Sequence, residues 1–382
     1  MKMKILVTAS NLIPLRGGGE RSLFSFLKRL SENHEVTVMT PHNEEILKFT
    51  KDYKLEGIKK PFYFHFLKSF FKINFQNWWW HKILIKALEK NDFDIILVQG
   101  ILLPSIIDLP IKKIIFMRGV GQFAPNINAV NPKKCKKSFF QYLPLIFKIQ
   151  YPLVKHYREK CIESVKKADM VISNANFLRE IVIFYTGKRS LLLNSEINLL
   201  DYKIKKRKNP KKILFINPTF HKGVDIMYGI AKKLPEKEFL VVGSSDVLGK
   251  KLYNSLTNLP NVKSMGKIQN MMEAYKETYL LVNPSKCYEG FGRTPAEAMV
   301  NGIPSIVSGF GGLPEVVENS GDIIKDIFDI DQWVKKIRKY DNKEYYSKKS
   351  GLCKKKIGNL QKKNISQYGK IKKEIEKIIK IK

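Results

Sequence analysis

The chain has 382 residues, 44% of them hydrophobic, and 69 Lys and Arg against 35 Asp and Glu give a formal charge of +34. That length suits two domains, each with its own core, and the apolar content excludes a disordered chain. The cysteines, Cys135, Cys161, Cys287 and Cys353, are scattered and form no CxxC pair. They are expected to be free thiols in a reducing compartment, which excludes a thiolate metal site.

In chain order, Lys2 and Lys4 lead into ILVTAS, which reads as a strand over 5–9 rather than a signal peptide, and no apolar run is long enough for a spanning helix. The glycine loop PLRGGG over 14–19 follows, then a helix over 22–30 with Leu23, Phe24, Leu27 and Leu30 on one face. Gly17 and Gly18 lack Cβ atoms, so backbone there can approach a ligand beside the first amides of the helix. A simple turn is the alternative, with Glu20 and Arg21 capping and solvating the helix start. Strands are expected over 35–39, 94–98, 113–117 and 170–173. Two segments, 61–88 with Trp78, Trp79 and Trp80, and 133–157, mix aromatics with lysines. They suit either the headgroup layer of a membrane or packing on the domain core.

The lysine-rich stretch over 201–212 is expected to be an exposed linker. Beyond it the rhythm restarts, with strands over 213–216, 239–242, 262–265, 279–282 and 305–307 and a helix over 224–234. Strands alternating with helices imply parallel sheets covered on both faces. The densest signal is NPSKCYEGFGRTPAE at 283–297. It follows a short apolar strand and runs into a helix over 294–302, placing Glu289 in a polar glycine-rich loop and Glu297 along the helix. A helix N-terminus favours an anion through its unpaired amides and dipole. Carboxylates beside a phosphate make sense when they hold hydroxyls, which suggests a nucleotide-sugar enzyme.

The ordered set PLRGGGER at 14–21, HEVTVMT at 34–40, ADMVISNANF at 168–177, INPTFHKG at 216–223, LPNVKSMGKI at 259–268 and VNPSKCYEGFGRTPAEAMVNGIPSIVSGFGGLPEVVENSG at 282–321 resembles the family 4 retaining glycosyltransferases of GT-B architecture. The resemblance covers most of the chain and is strongest in its second half. It implies an α/β GT-B fold with two Rossmann-like domains facing across a cleft. Residues 1–200 would bind the acceptor and 201–365 the nucleotide sugar, with a basic helix over 366–382 packing back on the first domain.

By the same resemblance, Glu289 and Lys222 are the catalytic candidates. Glu289 would bind hydroxyls of the transferred sugar, and Lys222 would offset charge developing on the departing diphosphate. Glu297 would accept hydrogen bonds from the ribose, Gly17 and Gly18 would approach the diphosphate, and backbone at Phe291, Gly292, Arg293 and Thr294 would cradle sugar hydroxyls or the distal phosphate. The usual companion arginine of the phosphate lysine is missing. Asn217 or Pro218 stands there, and asparagine can donate a hydrogen bond but cannot neutralise charge. Arg293 and Arg118 are candidate replacements, and Arg118, Gln99 and His221 are expected to line the cleft. The first-domain histidine common in the family is absent. The histidines show no HExxH or facial-triad spacing, so no metal and no cofactor is expected besides the nucleoside-diphosphate sugar, which is the donor substrate.

The implied reaction is transfer of a sugar from that donor, with retention, to a hydroxyl of a saccharide or lipid-linked saccharide in surface polysaccharide or glycolipid synthesis. The enzyme would be cytoplasmic and peripheral on the inner face of the cell membrane. The charge suits an anionic membrane surface. Rivals are a nucleotide-sugar epimerase or phosphorylase on the same plan, or a basic nucleic-acid-binding protein. The last would need a recognised nucleic-acid scaffold, which the sequence does not show, so no specific nucleic-acid partner is expected.

Overall fold

The computed structural model describes residues 2–9, 18–41, 54–58, 69–123, 151–205 and 210–380. The chain divides into two units: the first runs to Glu196 and takes in the chain again from Ser366, and the second is Ile197–Ile365.

The first unit contains β1 (Lys4–Thr8), α1 (Gly18–Ser31), β2 (Glu35–Pro41), β3 (Lys54–Ile58), α2 (Ser69–Lys90), β4 (Ile95–Gln99), β5 (Lys112–Met117), α3 (Tyr151–Lys167), β6 (Met170–Ser173), α4 (Asn176–Thr186) and β7 (Leu191–Leu192). Its strands form one parallel sheet in the order β3-β2-β1-β4-β5-β6-β7. Successive side chains of a strand point to opposite faces, and both faces are buried. Ile5, Val7, Ile95, Leu97, Ile114 and Phe116 pack on the α1 side. Leu6, Ile96, Val98, Ile115 and Met117 pack on the other side with residues of α2, α3 and α4.

The second unit contains β8 (Lys212–Ile216), α5 (Val224–Lys233), β9 (Phe239–Val242), α6 (Lys250–Thr257), β10 (Val262–Gly266), α7 (Met272–Glu277), β11 (Thr278–Asn283), α8 (Arg293–Met299), β12 (Ser305–Ser308), α9 (Leu313–Val317), β13 (Asp322–Ile324) and α10 (Ile330–Lys339). Its parallel sheet has the order β10-β9-β8-β11-β12-β13. The same alternation divides Ile213, Phe215, Leu280 and Val282 from Leu214, Leu281 and Val307. In each sheet the chain moves outward from a central strand and returns on its other side, so strand order reverses between β1 and β4 and between β8 and β11. Ligands of open α/β sheets bind beyond the carboxyl ends of the strands at such a reversal.

The last helix, α11 (Lys343–Lys380), runs 38 residues. Its early part buries Cys353 and Ile357 in the second unit. Its end contributes Ile371, Ile375 and Ile379, four residues apart and therefore on one helix face, to the core of the first. There Gln367 exchanges hydrogen bonds with Asn194, and Lys372 donates to Asn33.

One expectation needs correction, and one open reading divides. The start of the 201–212 stretch is packed rather than exposed: Tyr202 is buried, its carbonyl accepts from Asn301 Nδ2 at 2.8 Å, and Ile204 N–H donates to Asn301 Oδ1 at 2.9 Å. The three tryptophans divide between the two readings left open for their segment. Trp80 is fully buried in the first-unit core, Trp79 packs against it, and Trp78 is exposed. Residues 61–68 and 133–150, the remainder of the aromatic-basic segments apart from the ends of α2 and α3, lie outside the described residues.

Candidate active site

β8 and β11 are neighbours in the sheet, so the loops leaving their carboxyl ends run side by side. The first carries Asn217 and a single helical turn, Phe220–Lys222, into α5, and the second carries residues 284–292 into α8. Gly223 sits at φ 82°, and a Cβ there would collide with the Pro284 carbonyl oxygen, so glycine is what lets the two loops touch. Gly311, at φ 64°, passes equally close to the Glu289 backbone, and Gly312 N–H donates to the Glu289 carbonyl at 2.8 Å. The glutamate loop is therefore pinned on two sides.

These contacts bring Lys222 and Glu289 together: Lys222 Nζ donates to Glu289 Oε1 in a half-buried ion pair. The cation and the carboxylate, 67 positions apart, share one spot at the reversal of strand order. Asn217 is exposed and held at φ 58°, a left-handed conformation that asparagine tolerates better than most residues. His221 turns its carbonyl to Lys286 N–H at 2.9 Å and to Cys287 Sγ at 3.5 Å, while its buried ring Nδ1 has no hydrogen-bond partner. Burial pushes the Cys287 thiol up to about 11, so it stays protonated and is a poor nucleophile near neutral pH.

Glu297, on α8, forms a second polar centre. Its Oε1 accepts from Tyr202 OH at 3.0 Å and lies 3.1 Å from Arg293 Nη2, and its Oε2 accepts from Tyr275 OH at 3.5 Å. Burial, and then the neighbouring Glu297 carboxylate, raise the Tyr275 pKa well above its ordinary value, so its hydroxyl remains a donor. Arg293 is engaged by this glutamate. The Phe291 side chain is buried in the core with Leu313. Gly292, at φ 98°, turns the chain into α8, where Arg293 and Thr294 are partly buried in the first turn.

The first unit gathers its own candidates. Gly18 opens α1, whereas Gly17 lies outside the described residues. Arg118, just past β5, donates through Nη1 to the Gly19 carbonyl and stacks 4.3 Å from the centre of the Phe116 ring. Gln99 ends the adjacent β4 with its Oε1 buried and without a hydrogen-bond partner. Gly18, Gln99 and Arg118 thus stand at the start of α1, the end of β4 and just past β5, which follow or end neighbouring strands on the carboxyl side of that sheet. Among the described residues, no group of three or more His, Cys, Asp or Glu is placed to hold a metal ion, and no helix is long and apolar enough to cross a membrane. Tyr202, Tyr275, Asp225 and Lys286 were not foreseen as site residues.

Solved structures share this architecture. Sucrose-phosphate synthase from Thermosynechococcus elongatus superposes with a TM-score of 0.76 at 15% identity, covering 98% of this chain and 99% of that one. Anabaena HepE in complex with UDP and glucose gives 0.68 at 16% identity, over 98% and 99%. WaaG, a glycosyltransferase involved in lipopolysaccharide biosynthesis, gives 0.67 at 14% identity, over 93% and 95%. No curated protein matches the sequence significantly. The family pattern "Glycosyltransferase Family 4" matches residues 16–190, and "Glycosyl transferases group 1" matches residues 197–356. The chain is a GT-B-fold glycosyltransferase related to the group 1 and family 4 glycosyltransferases. Such an enzyme moves a sugar from a nucleoside-diphosphate donor to an acceptor.

Proposed function

We propose that this glycosyltransferase transfers a hexose-like unit with retention of anomeric configuration to a hydroxyl of a saccharide or lipid-linked saccharide, in surface polysaccharide or glycolipid synthesis. The observation that carries the reading is the Lys222–Glu289 pair at the reversal of strand order. A donor entering there meets a cation for its diphosphate beside a carboxylate for its sugar hydroxyls. Lys222 exchanges Glu289 for phosphate oxygens and stabilises the charge that grows on them as the glycosidic bond breaks. Glu289, released from the lysine, accepts from the sugar, and Glu297, oriented by Tyr202 and Tyr275, accepts from the ribose. No protein nucleophile is assigned. A front-face route, in which a diphosphate oxygen helps take the acceptor proton, leaves orientation and charge stabilisation as the protein's work. The complexes of HepE with UDP-glucose and the lipopolysaccharide role of WaaG support the donor and acceptor classes. The charge of +34 and the exposed Trp78 and Phe184 support work at an anionic membrane surface, on the cytoplasmic side.

The test is release of nucleoside diphosphate from a panel of uridine-, guanosine- and thymidine-diphosphate hexoses, with NMR of the transferred product to read its anomeric configuration. Glu289→Ala is expected to lower turnover at least about tenfold, the loss of one charge-assisted contact. Lys222→Ala is expected to lose more than Lys211→Ala, which removes the same charge from an exposed position. Folded variants with equal, small losses would refute the assignment, and an inverted product would refute retention.

A further inference from the structure

We propose that Lys286 is a positioning residue that fixes Lys222 relative to Glu289 for transfer. This role presupposes the assignment of Lys222 and Glu289 made above. Lys286 lies three residues before Glu289 on the loop after β11 and is only 8% exposed. An ammonium group that buried needs partners, and those of Lys286 sit on the loop that carries Lys222 and on the first turn of the helix that follows it. Its Nζ donates to both carboxylate oxygens of Asp225, at 2.9 and 3.0 Å, in the first turn of α5. The same Nζ lies 3.4 Å from the centre of the Phe220 ring, a close cation–π contact. Its backbone N–H donates to the His221 carbonyl at 2.9 Å. Phe220 and His221 precede Lys222, and Asp225 follows it, so one side chain and its backbone grip the lysine's segment on both sides.

The grip has a consequence for charge as well as for distance. Asp225 occupies the Lys286 ammonium, which keeps it from competing with Lys222 for Glu289. Lys222 is then the cation left to turn toward the diphosphate, from an anchored backbone. A buried ion pair adds little net stability compared with apolar side chains of similar size, so its contribution here is geometric. A replacement that preserves packing and removes the pair separates the two roles.

The experiment measures nucleoside-diphosphate release from the best hexose donor by Lys286→Met, Lys286→Arg and the paired apolar variant Asp225→Leu with Lys286→Met, beside Glu289→Ala, with thermal unfolding of each. In Lys286→Met, kcat is expected to fall roughly ten- to a hundredfold, the scale of a displaced catalytic group, with donor KM held within about threefold. Lys286→Arg should recover most of kcat, because a guanidinium can meet both Asp225 oxygens and lie on Phe220. The paired variant should melt near the wild type and stay as slow as Lys286→Met. If Glu289→Ala is impaired while Lys286→Met keeps wild-type kcat, the positioning role is wrong and the site assignment stands. If Lys286→Met does not fold, wild-type kcat in the paired variant overturns the role, and slow turnover at near-wild-type melting supports it. Losses of kcat that track melting temperature across the series also overturn it. Unimpaired turnover in Glu289→Ala overturns the site assignment, and the role of Lys286 with it.

Discussion

Single residues of the candidate site were legible where chemistry is written into a local motif. Glu289 and Glu297 stand in one short run, and Lys222 closes another, so residue type and order pointed to them. Their supports were not legible, because the contacts join distant parts of the chain: Lys286 meets Asp225 across 61 positions, and Tyr202 meets Glu297 across 95. Nothing local marks a lysine as buried or a tyrosine as the partner of a remote carboxylate. Tyr202 supplies a test at this scale. Tyr202→Phe keeps the ring in the core and removes one hydrogen bond from Glu297, so donor KM is expected to rise roughly three- to tenfold, about 1 kcal/mol. Initial rates over a range of donor concentrations read this directly, and an unchanged KM would show that the ribose is bound elsewhere.

At the scale of elements, most interior strands announced themselves as apolar runs, with ends displaced by a residue or so. β3, β7 and β13 were missed, and all three are sheet edges. Edge strands are short and lack the two buried faces that make a central strand legible. Only the end of α11 was foreseen, since Gly351, Gly358 and Gly369 and many lysines dilute its helical pattern. The junction of β13 with this helix supplies a test of pH dependence. Asp322 is buried at the start of β13, which alone would raise its pKa. Hydrogen bonds from Lys336, Tyr340 and Tyr345 outweigh that, and the net shift is downward. A carboxylate with a lowered folded pKa stabilises the fold above its unfolded value, about 4, and that contribution is lost as pH falls through the folded value. Thermal melts from pH 7 to pH 3 should therefore show a smaller acid-side decline in Asp322→Asn than in the wild type, beginning from a lower melting temperature at pH 7. Equal slopes would show that other carboxylates set the acid limit.

For the whole molecule, the net charge of +34 acts over about a Debye length, so attraction to anionic vesicles should weaken as salt rises. Flotation of Trp78→Ser with such vesicles at near-physiological salt should be weaker than that of the wild type, while Trp80→Ser should lose roughly 3–5 kcal/mol of stability because it empties a core site. Unchanged flotation of a folded Trp78→Ser would rule out insertion of that ring. The shared helix α11 bears on how the protein is made. Ile371, Ile375 and Ile379 complete the core of the first unit, yet they are translated only after the whole of the second unit. The opening half of the chain must wait, with an apolar stripe uncovered, while the entire second unit is translated. A nascent chain stalled after residue 196 should therefore be protease-sensitive and bound by chaperones. A synthetic peptide of the helix end, supplied in trans, should restore its protection, giving the segment made after the second unit the part of an intramolecular chaperone.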